Sequence, residues 1–261
     1  MKKLAIAIGV LIIVFIFVQN NCLTTSYYEI ENQKIPPNFN NYKIVHLSDL
    51  HNKMFGKNQK NLVKQIEKLD PDLLVLTGDL IGFRKANFQA TLDIVEQLDV
   101  PVIMVSGNND WATRKWGEFK QELTKKGVII LDNKQKFITI ENQSIVITGV
   151  EDPCGSGYEF QEPPEGYFNL LLVHRPDIIE EHPFIYDLSL AGHTHGGQIR
   201  IPFVGGLYAP GQGWFPKYDS GQVFLNRNSV IINRGLGNNG FPARVFNRPE
   251  IGLITLKTVC K

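Results

Sequence analysis

The stretch Ala191 to Gln198 reads Ala-Gly-His-Thr-His-Gly-Gly-Gln and follows a short segment, residues 186–190, that is typical of a β-strand. His193 and His195 therefore lie in the turn beyond a strand end. The glycines around them allow the backbone to bend and bring the two imidazoles together. Taken alone, the pattern also fits a glycine-rich turn with solvated histidines, so its interpretation depends on the rest of the chain.

Four further predicted strands also end in polar residues of the kinds that bind metal ions. These strands, each with the residues that follow it, are 42–48 with Asp49 and His51, 72–76 with Asp79, 102–105 with Asn108, Asn109 and Asp110, and 169–173 with His174. Ligand sites in open α/β sheets lie beyond the carboxyl ends of the strands, so we expect these side chains to meet. Four of the six histidines lie at such strand ends, which solvated turns would not explain.

The order of the predicted elements indicates an α/β fold. Helices are predicted over 58–69, 88–98 and 113–126, between near-continuous apolar strands that are typical of a sheet buried on both faces. From residue 128 onward, short strands and loops follow. The predicted strands there are 128–131, 136–140, 144–150, 169–173, 188–190, 198–201, 229–233 and 253–258. We predict a four-layer α/β/β/α sandwich, in which two mixed β-sheets pack face to face with helices outside.

Two other segments have their own predictions. Residues 23–35 are expected to form a tether and an entry strand, and the Pro- and Gly-rich stretch 202–221 a functional or flexible surface loop. The 261 residues, 43% of them hydrophobic, carry a net charge of +1 and include no basic run interleaved with aromatics, which argues against nucleic acid as a partner. Cys22, Cys154 and Cys260 lie far apart and are expected to be free thiols.

The N-terminus resembles an export signal. Lys2 and Lys3 precede an apolar run over residues 4–18, and no further charge occurs before Glu29. Residues 19–23 lack the small residues that signal peptidase requires. We therefore expect residues 1–22 to be an uncleaved signal-anchor and residues 23–261 to form the functional domain. With the lysines held inside, the chain would span a bacterial cytoplasmic membrane once, with that domain outside it; the alternative is secretion after signal cleavage.

Five motifs of the chain, taken together, resemble a known family. Asp49-x-His51, Gly78-Asp79, Gly107-Asn108-Asn109-Asp110, His174 and Gly192-His193-x-His195 are similar, in order and approximate spacing, to the five motifs of the calcineurin-like metallophosphoesterases. The resemblance runs from about residue 42 to the end. It is closest to the membrane-anchored or exported bacterial branch with the Gly-His-Thr-His-Gly-Gly-Gln motif, to which residues 234–237 and 248–251 are also similar.

The resemblance implies a centre with two divalent metal ions. In this family pattern, Asp49, His51 and His195 would hold one metal, Asn108, His174 and His193 would hold the other, and Asp79 would bridge them. Mixed oxygen and nitrogen ligands suit Mn²⁺, which we expect first, and also Zn²⁺, Fe or Co. The metals would activate water for attack at phosphorus without a covalent enzyme intermediate.

One position departs from the family pattern. The family usually has histidine where this chain has Asn109, and an amide can donate a hydrogen bond to the substrate but cannot transfer a proton. Asp110 is expected either to orient the asparagines in a catalytic role or to cap the following helix. Arg175, Arg234 and Arg244 are candidate phosphate ligands, with an ordinary surface charge as the alternative.

These observations together predict a metal-dependent phosphoric ester hydrolase that acts on phosphodiester or pyrophosphate bonds. Its membrane anchor favours lipid-linked or cell-envelope substrates, although small-molecule phosphoesters fit the same chemistry. A broad phosphomonoesterase is the alternative enzyme. Asn109 also leaves open a metal-binding envelope protein that binds phosphorylated ligands without hydrolysing them. We expect a monomer.

Overall fold

The computed structural model describes residues 1–84, 86–153, 161–182, 184–225, 228–238 and 240–259. Within these ranges the α-helices are α1 Lys2–Asn21, α2 Lys60–Glu67, α3 Gln89–Val95, α4 Asn108–Ala112, α5 Trp116–Lys125 and α6 Ile178–Glu181. The strands of the first half are β1 Thr24–Asn32, β2 Lys43–Leu47, β3 Leu73–Thr77, β4 Val102–Val105, β5 Ile129–Ile130, β6 Lys134–Ile140, β7 Gln143–Gly149 and β8 Asn169–Leu172. Those of the second half are β9 Leu188–Ala191, β10 Arg200–Ile201, β11 Gly205–Gly206, β12 Tyr208–Ala209, β13 Gly213–Trp214, β14 Gly221–Leu225, β15 Asn228–Ile232 and β16 Glu250–Thr258.

Two six-stranded mixed sheets form the centre of the molecule. The first has the strand order β1-β16-β2-β3-β4-β5, and the second has the order β14-β15-β9-β8-β7-β6. Strands β2 to β5 run parallel, whereas β16 inserts antiparallel to β2 and parallel to β1. In the second sheet, β15, β9, β8 and β7 run parallel, with β14 and β6 antiparallel at the edges.

Strand β3 shows why these strands are apolar throughout. Successive side chains on a strand point to opposite faces. Leu73 and Val75 pack in the core between the two sheets, whereas Leu74 and Leu76 pack in the core beneath the helices. Both faces are therefore buried, and each of the five β3 residues is shielded from solvent.

Helices cover the outer face of each sheet. Ile66 of α2, Ile94 of α3 and Phe119 of α5 pack against the first sheet. Ile178 and Ile179 of α6 pack against the second. The prediction of two mixed sheets with flanking helices is confirmed.

The structure corrects several element predictions. The helix predicted over 113–126 is present as α5, which begins three residues later, at Trp116; a separate short helix that was not predicted, α4, ends at Ala112. Arg114 between them has φ of 56°, a left-handed conformation that no continuous helix accommodates. The stretch 202–221 includes paired backbone, in the hairpins β10–β11 and β12–β13, and the edge strand β14 was not predicted.

The predicted entry strand is present as β1, which pairs with β16 over its whole length. Helix α1 has 20 residues and is long and apolar enough to cross a membrane. It ends one residue before the predicted boundary at residue 22, and the division into anchor and domain stays a prediction. Cys22 is a free cysteine, whereas Cys154 and Cys260 lie outside the described residues.

Candidate metal centre

The predicted ligand residues meet at the carboxyl ends of parallel strands from both sheets. Asp49 and Asp79 follow β2 and β3, His174 follows β8, and His193 and His195 follow β9. Asp49, Asp79, His193 and His195 have φ of 51°, 55°, 68° and 51°, respectively, in the left-handed region. Such conformations cost free energy in residues other than glycine and persist where the surrounding structure holds them, commonly at functional sites.

The first group of ligands is Asp49, His51 and His195. The Nε2 atoms of the two histidines lie 3.2 Å apart. Asp49 Oδ1 lies 3.3 Å from His195 Nε2 and 3.8 Å from His51 Nε2. One ligand atom from each residue lies within 4.8 Å of the other two, so the three could hold one metal ion.

The second group is Asp79, His174 and His193. His174 Nε2 lies 3.4 Å from Asp79 Oδ1 and 3.1 Å from His193 Nδ1. In this group too, one ligand atom from each residue lies within 4.8 Å of the other two, so the three could hold a second metal ion. The side-chain oxygen of Asn108 lies 3.2 Å from His174 Nε2, which brings the predicted amide ligand to the same group.

Asp79 lies between the two groups. Its Oδ1 faces His174, and its Oδ2 lies 3.6 Å from His51 Nε2. One carboxylate therefore presents an oxygen to each group, as a ligand shared by two cations would have to do.

Contacts behind the ligands orient them. Nδ1 of His174 lies 2.7 Å from the carbonyl oxygen of Thr77, to which it can donate, and this tautomer leaves the lone pair on Nε2 for a metal. The backbone N–H of His193 donates to Asp49 Oδ2 at 2.9 Å, leaving Oδ1 directed toward the histidines. Among the described residues, Asp49 Oδ1 is buried and has no hydrogen-bond partner. A buried carboxylate oxygen without a donor is costly, and a bound cation would satisfy it, so the donor set fits metal binding.

The charges of the centre are coupled. Burial alone would raise the pKa of Asp49 and of Asp79, but nearby histidines outweigh burial and lower both. Burial opposes protonation of His174, yet Asp79 raises the pKa of that imidazole to about 10. Burial, together with the charge of a neighbouring histidine, lowers the pKa of His193 to about 4; burial lowers that of His195 to about 3 despite the attraction of Asp49. Without metal, a protonated His174 thus supplies one positive charge and offsets part of the negative charge of the two carboxylates.

Comparison with known proteins agrees with this geometry. A family model described as calcineurin-like phosphoesterase matches residues 42–200. The chain belongs to the calcineurin-like phosphoesterase family.

Curated relatives extend the match to most of the chain. The metallophosphoesterase YkuE of Bacillus subtilis is 29% identical over 254 residues, which cover 93% of this chain and 88% of the relative. The phosphodiesterase YaeI of Escherichia coli is 31% identical over 230 residues, or 82% of each chain. A metallophosphoesterase of Aquifex aeolicus is 29% identical over 264 residues, covering 96% of this chain and 98% of the relative. The predicted family and the class of metal-dependent phosphoric ester hydrolases are confirmed; the membrane-anchored branch stays a prediction.

Asn109, where this phosphoesterase departs from the family pattern, contacts Asp79 twice. Its backbone N–H donates to Asp79 Oδ1 at 2.7 Å, and its side-chain Nδ2 donates to Asp79 Oδ2 at 2.5 Å. The side chain is 6% exposed. The amide therefore lies beside the carboxylate shared by the two ligand groups.

Asp110 is fully buried and binds backbone. Its Oδ2 accepts the N–H groups of Asp79 and Gly107, both at 2.9 Å. Its Oδ1 accepts those of Leu80 and Ile81 at 2.9 and 3.1 Å. The contact with Gly107 also closes the first turn of α4. Burial and the charge of Asp79 raise the pKa of Asp110 to about 7. These contacts support the capping role and hold the backbone around Asp79, whereas orientation of the asparagines by Asp110 stays a prediction.

Two of the three predicted phosphate-binding arginines are paired with carboxylates. Arg175 donates from Nε and Nη2 to the two oxygens of Asp152, at 2.7 and 3.1 Å. Arg234 Nε lies 3.2 Å from Glu250 Oε2. Their side chains remain 24% and 20% exposed, respectively. Each guanidinium is therefore held in place beside the centre and still reaches solvent.

The sequence indicated Arg244 only as a possible phosphate ligand and did not indicate Asn247, yet both residues support the site through contacts with backbone. Asn247 Nδ2 donates to the carbonyl oxygen of the ligand His195 at 2.7 Å. Arg244 is fully buried and donates to the carbonyl oxygens of Arg234, Gly237 and Asn247. Neither position carries a local motif, because the contacts join segments that are irregular in structure.

A cavity opens beside the first ligand group. It has a volume of about 370 Å³ and is lined by His51, Asn52, Gly82, Phe83, Arg84, Asn238 and Gly240. Arg84 was not predicted as a site residue, yet this cation lines the same cavity as His51, a candidate metal ligand. A phosphoester could enter here and reach the centre.

Proposed function

We propose that this chain hydrolyses phosphodiester or pyrophosphate bonds with water activated at two divalent metal sites. The observation that carries the proposal is the pair of ligand triads: Asp79 belongs to the second, and its other carboxylate oxygen lies 3.6 Å from His51 of the first. Such an arrangement suits in-line displacement at phosphorus, in which attacking and leaving oxygens are both stabilised.

We assign the ligands by the contacts they make. Asp49, His51 and His195 would hold one metal and Asn108, His174 and His193 the other, with Asp79 shared. When bound, the metals would supply Lewis-acid polarisation of the phosphate and a water acidic enough to react near neutral pH. Mn²⁺ is the proposed ion, with Zn²⁺, Fe or Co as alternatives that the same donor set accepts.

The remaining residues position the substrate. Asn109 would donate a hydrogen bond to a phosphate oxygen, although its amide cannot protonate the leaving group. Arg175 and Arg234 would add charge-assisted contacts from their exposed edges. Asp110 would act as a positioning residue, because its carboxylate holds the backbone on both sides of Asp79.

The absence of the family histidine determines which substrates would react well. When a diester or pyrophosphate has a good leaving group, that group departs without being protonated. When the leaving group is poor, a general acid typically raises the hydrolysis rate about 10²–10⁴-fold. A broad phosphomonoesterase is the second candidate activity. A metal-binding envelope protein without turnover is the non-enzymatic candidate, and Asn109 is the residue that motivates it.

We propose that α1 anchors the chain once in a bacterial cytoplasmic membrane, with the phosphoesterase domain outside as a monomer. Its length and apolar composition support this placement, and secretion after cleavage is the alternative. An anchored domain favours lipid-linked or cell-envelope phosphoesters as substrates.

The test uses full-length protein purified in detergent. Activated aryl diesters and monoesters should be assayed with a panel of Mn²⁺, Zn²⁺, Fe²⁺ and Co²⁺, and metal content measured by elemental analysis. We expect metal-stimulated release of the aryl group from the diester, lost to background in Asp79→Ala. Asp70→Ala is the control, because that carboxylate is 92% exposed. Metal uptake without hydrolysis of either ester would support the non-enzymatic candidate instead.

A further inference from the structure

The end of α1 is fastened to the loops beside the metal centre. Asn20 is 7% exposed, and its Oδ1 accepts the N–H of Arg244 at 3.0 Å and a hydrogen from Asn238 Nδ2 at 3.1 Å. Gln19 Oε1 accepts the N–H of Asn247 at 3.0 Å. Asn247 in turn donates to the carbonyl oxygen of His195, so it connects Gln19 of the helix to a candidate metal ligand.

Two cations strengthen this attachment. Lys53 Nζ donates to the carbonyl oxygen of Asn20 at 2.9 Å, where the C-terminal end of a helix favours positive charge. Arg248 donates to the carbonyl oxygens of Cys22 and Leu23. The orientation of the helix relative to the metal centre is therefore set by the fold and not by a flexible tether.

An aromatic contact locates the neighbouring loop along the helix axis. The rings of Phe15 and Phe246 lie edge to face with centroids 5.3 Å apart. Phe15 precedes the last helical residue, Asn21, by six positions, which at 1.5 Å per residue is about 9 Å. If α1 spans a bilayer, Phe246 therefore lies roughly 9 Å below the level at which the helix ends, a depth typical of side chains buried at the boundary of headgroups and acyl chains.

Two neighbouring grooves form a larger apolar surface, since Ile199 lines one and Arg200 the other. Phe246 lines the groove at the turn of the β10–β11 hairpin. The second groove includes Tyr208 and Trp214 of the β12–β13 hairpin and residues 240–241, and Phe215 directly follows Trp214. The large side chains exposed there, which we call the apolar rim, are Phe203, Val204, Trp214, Phe215, Phe241 and Phe246. Phe203 is as exposed as in an extended chain, and Trp214 is 68% exposed. Clusters of exposed apolar side chains of this kind mark interaction surfaces.

The apolar rim also adjoins the metal centre. One of its grooves, lined in part by Trp214 and Phe241, includes Gly197 and Gln198, which closely follow the ligand-type His195. The same groove shares Gly240 with the cavity that His51 lines. Whatever covers the rim therefore also borders the entrance to the centre.

We propose that the apolar rim is a docking surface for the lipid bilayer, which places the entrance of the metal cavity against the phosphate headgroups. The occupant follows from continuity: Phe246 touches the membrane helix itself, so the rim extends the surface that α1 already presents to lipid. Trp214 and Tyr208 pack edge to face at the rim, and these residue types concentrate at membrane interfaces. A second copy of the chain or a soluble partner would leave the contact between helix and rim unexplained. The proposal rests on α1 as a membrane span, and its consequence for substrate access rests on the proposed hydrolase activity.

The decisive experiment uses the full chain in phosphatidylcholine nanodiscs that hold one copy each. Trp214 is the reporter, since Trp116 is 4% exposed and Trp111 packs against it, with ring centroids 5.9 Å apart. Subtracting the fluorescence of Trp214→Phe isolates the rim signal. We expect acyl-chain brominated lipids to quench this signal and aqueous iodide to leave it largely unquenched.

Iodide quenching of Trp214 in lipid nanodiscs, with no effect of brominated lipid, would overturn the proposal. So would protection from iodide that appears only when discs hold two or more copies, because the occupant would then be a second chain. The measurement requires no turnover, so loss of hydrolase activity alone would refute the proposed function while leaving this result intact.

A kinetic comparison provides the second arm. Phe203→Ser removes an exposed rim side chain that touches no predicted ligand, and Phe137→Ser is the matched control on β6, at the far edge of the second sheet. We expect Phe203→Ser to retain hydrolysis of a soluble aryl diester and to lose several-fold in rate on the same ester carried by a lipid in nanodiscs. Equal rates for the two variants on the lipid-borne ester would count against docking.

Discussion

Replacing the buried Arg244 with methionine should loosen the site without touching a ligand. The guanidinium donates to the carbonyl oxygens of Arg234, Gly237 and Asn247, and it is fully buried. Methionine fills a similar volume but has no donor, so three buried carbonyl groups lose their partner. At about 1–3 kcal/mol for each unsatisfied group, the loss is about 3–9 kcal/mol.

The burial of the charge offsets part of this loss. Burial lowers the pKa of Arg244 from 12.5 to about 10, which corresponds to roughly 3 kcal/mol of unfavourable burial that methionine removes. The central expectation is therefore a net destabilisation of about 3 kcal/mol. For a chain of this size, such a change lowers the Tm by about 6–12 °C.

Thermal unfolding of the full-length protein, followed by fluorescence, measures this shift. Arg114→Met is the control, because Arg114 is an exposed arginine between two helices. The substitution should also weaken metal affinity, because the segments that Arg244 holds support two candidate ligands. The N–H of Gly237 donates to the carbonyl oxygen of Asp49, and Asn247 contacts His195. Loss of such supporting contacts typically weakens metal affinity about 10–100-fold. A Tm equal to that of wild type, with unchanged metal affinity, would refute the reasoning.

Three further outcomes are expected. Asn109→His should speed hydrolysis of diesters with poor alkyl leaving groups by up to about 10²-fold, with little change for aryl groups; equal kcat ratios for both would contradict the missing-acid argument. Because Asp79 raises the pKa of His174 to about 10, the imidazole is protonated at pH 7 without metal, so metal binding should release a proton and tighten as pH rises. Calorimetry in buffers of different ionisation enthalpy counts that proton, and a count of zero at pH 7 would be inconsistent with it. Mn²⁺ at about 100 times its Kd should raise the free energy of unfolding of the wild type by roughly 2.7 kcal/mol per site, and that of Asp79→Ala far less. Unfolding of both proteins with and without a chelator measures the difference.

Much of the candidate ligand set was readable from the sequence because these residues follow strand ends within a few positions. Asp49, Asp79, His174 and His193 lie within two residues of a strand end, and strands of this kind are recognisable from apolar runs alone. Parallel pairing then brings their carboxyl ends together, as the structure shows for β2, β3 and β4 and for β8 and β9.

Contacts made by irregular segments were not readable. The short helix α4 after Gly107 was not predicted; the Asp110 carboxylate closes its first turn. Arg175 and Arg234 were predicted as possible phosphate ligands, but only the fold reveals the carboxylates with which they pair. The attachment of Asn20 to Arg244, across more than two hundred positions of sequence, has no local pattern at either end.

The sequence by itself determined the family, the layered fold and the candidate metal-binding residues, because strand periodicity and short motifs are local properties. Tertiary structure alone decided which oxygen of Asp79 faces which histidine, which arginines are already paired, and how the apolar helix is oriented against the loops. Those features depend on distances between segments that are remote in the chain, and such distances exist only once both sheets have packed.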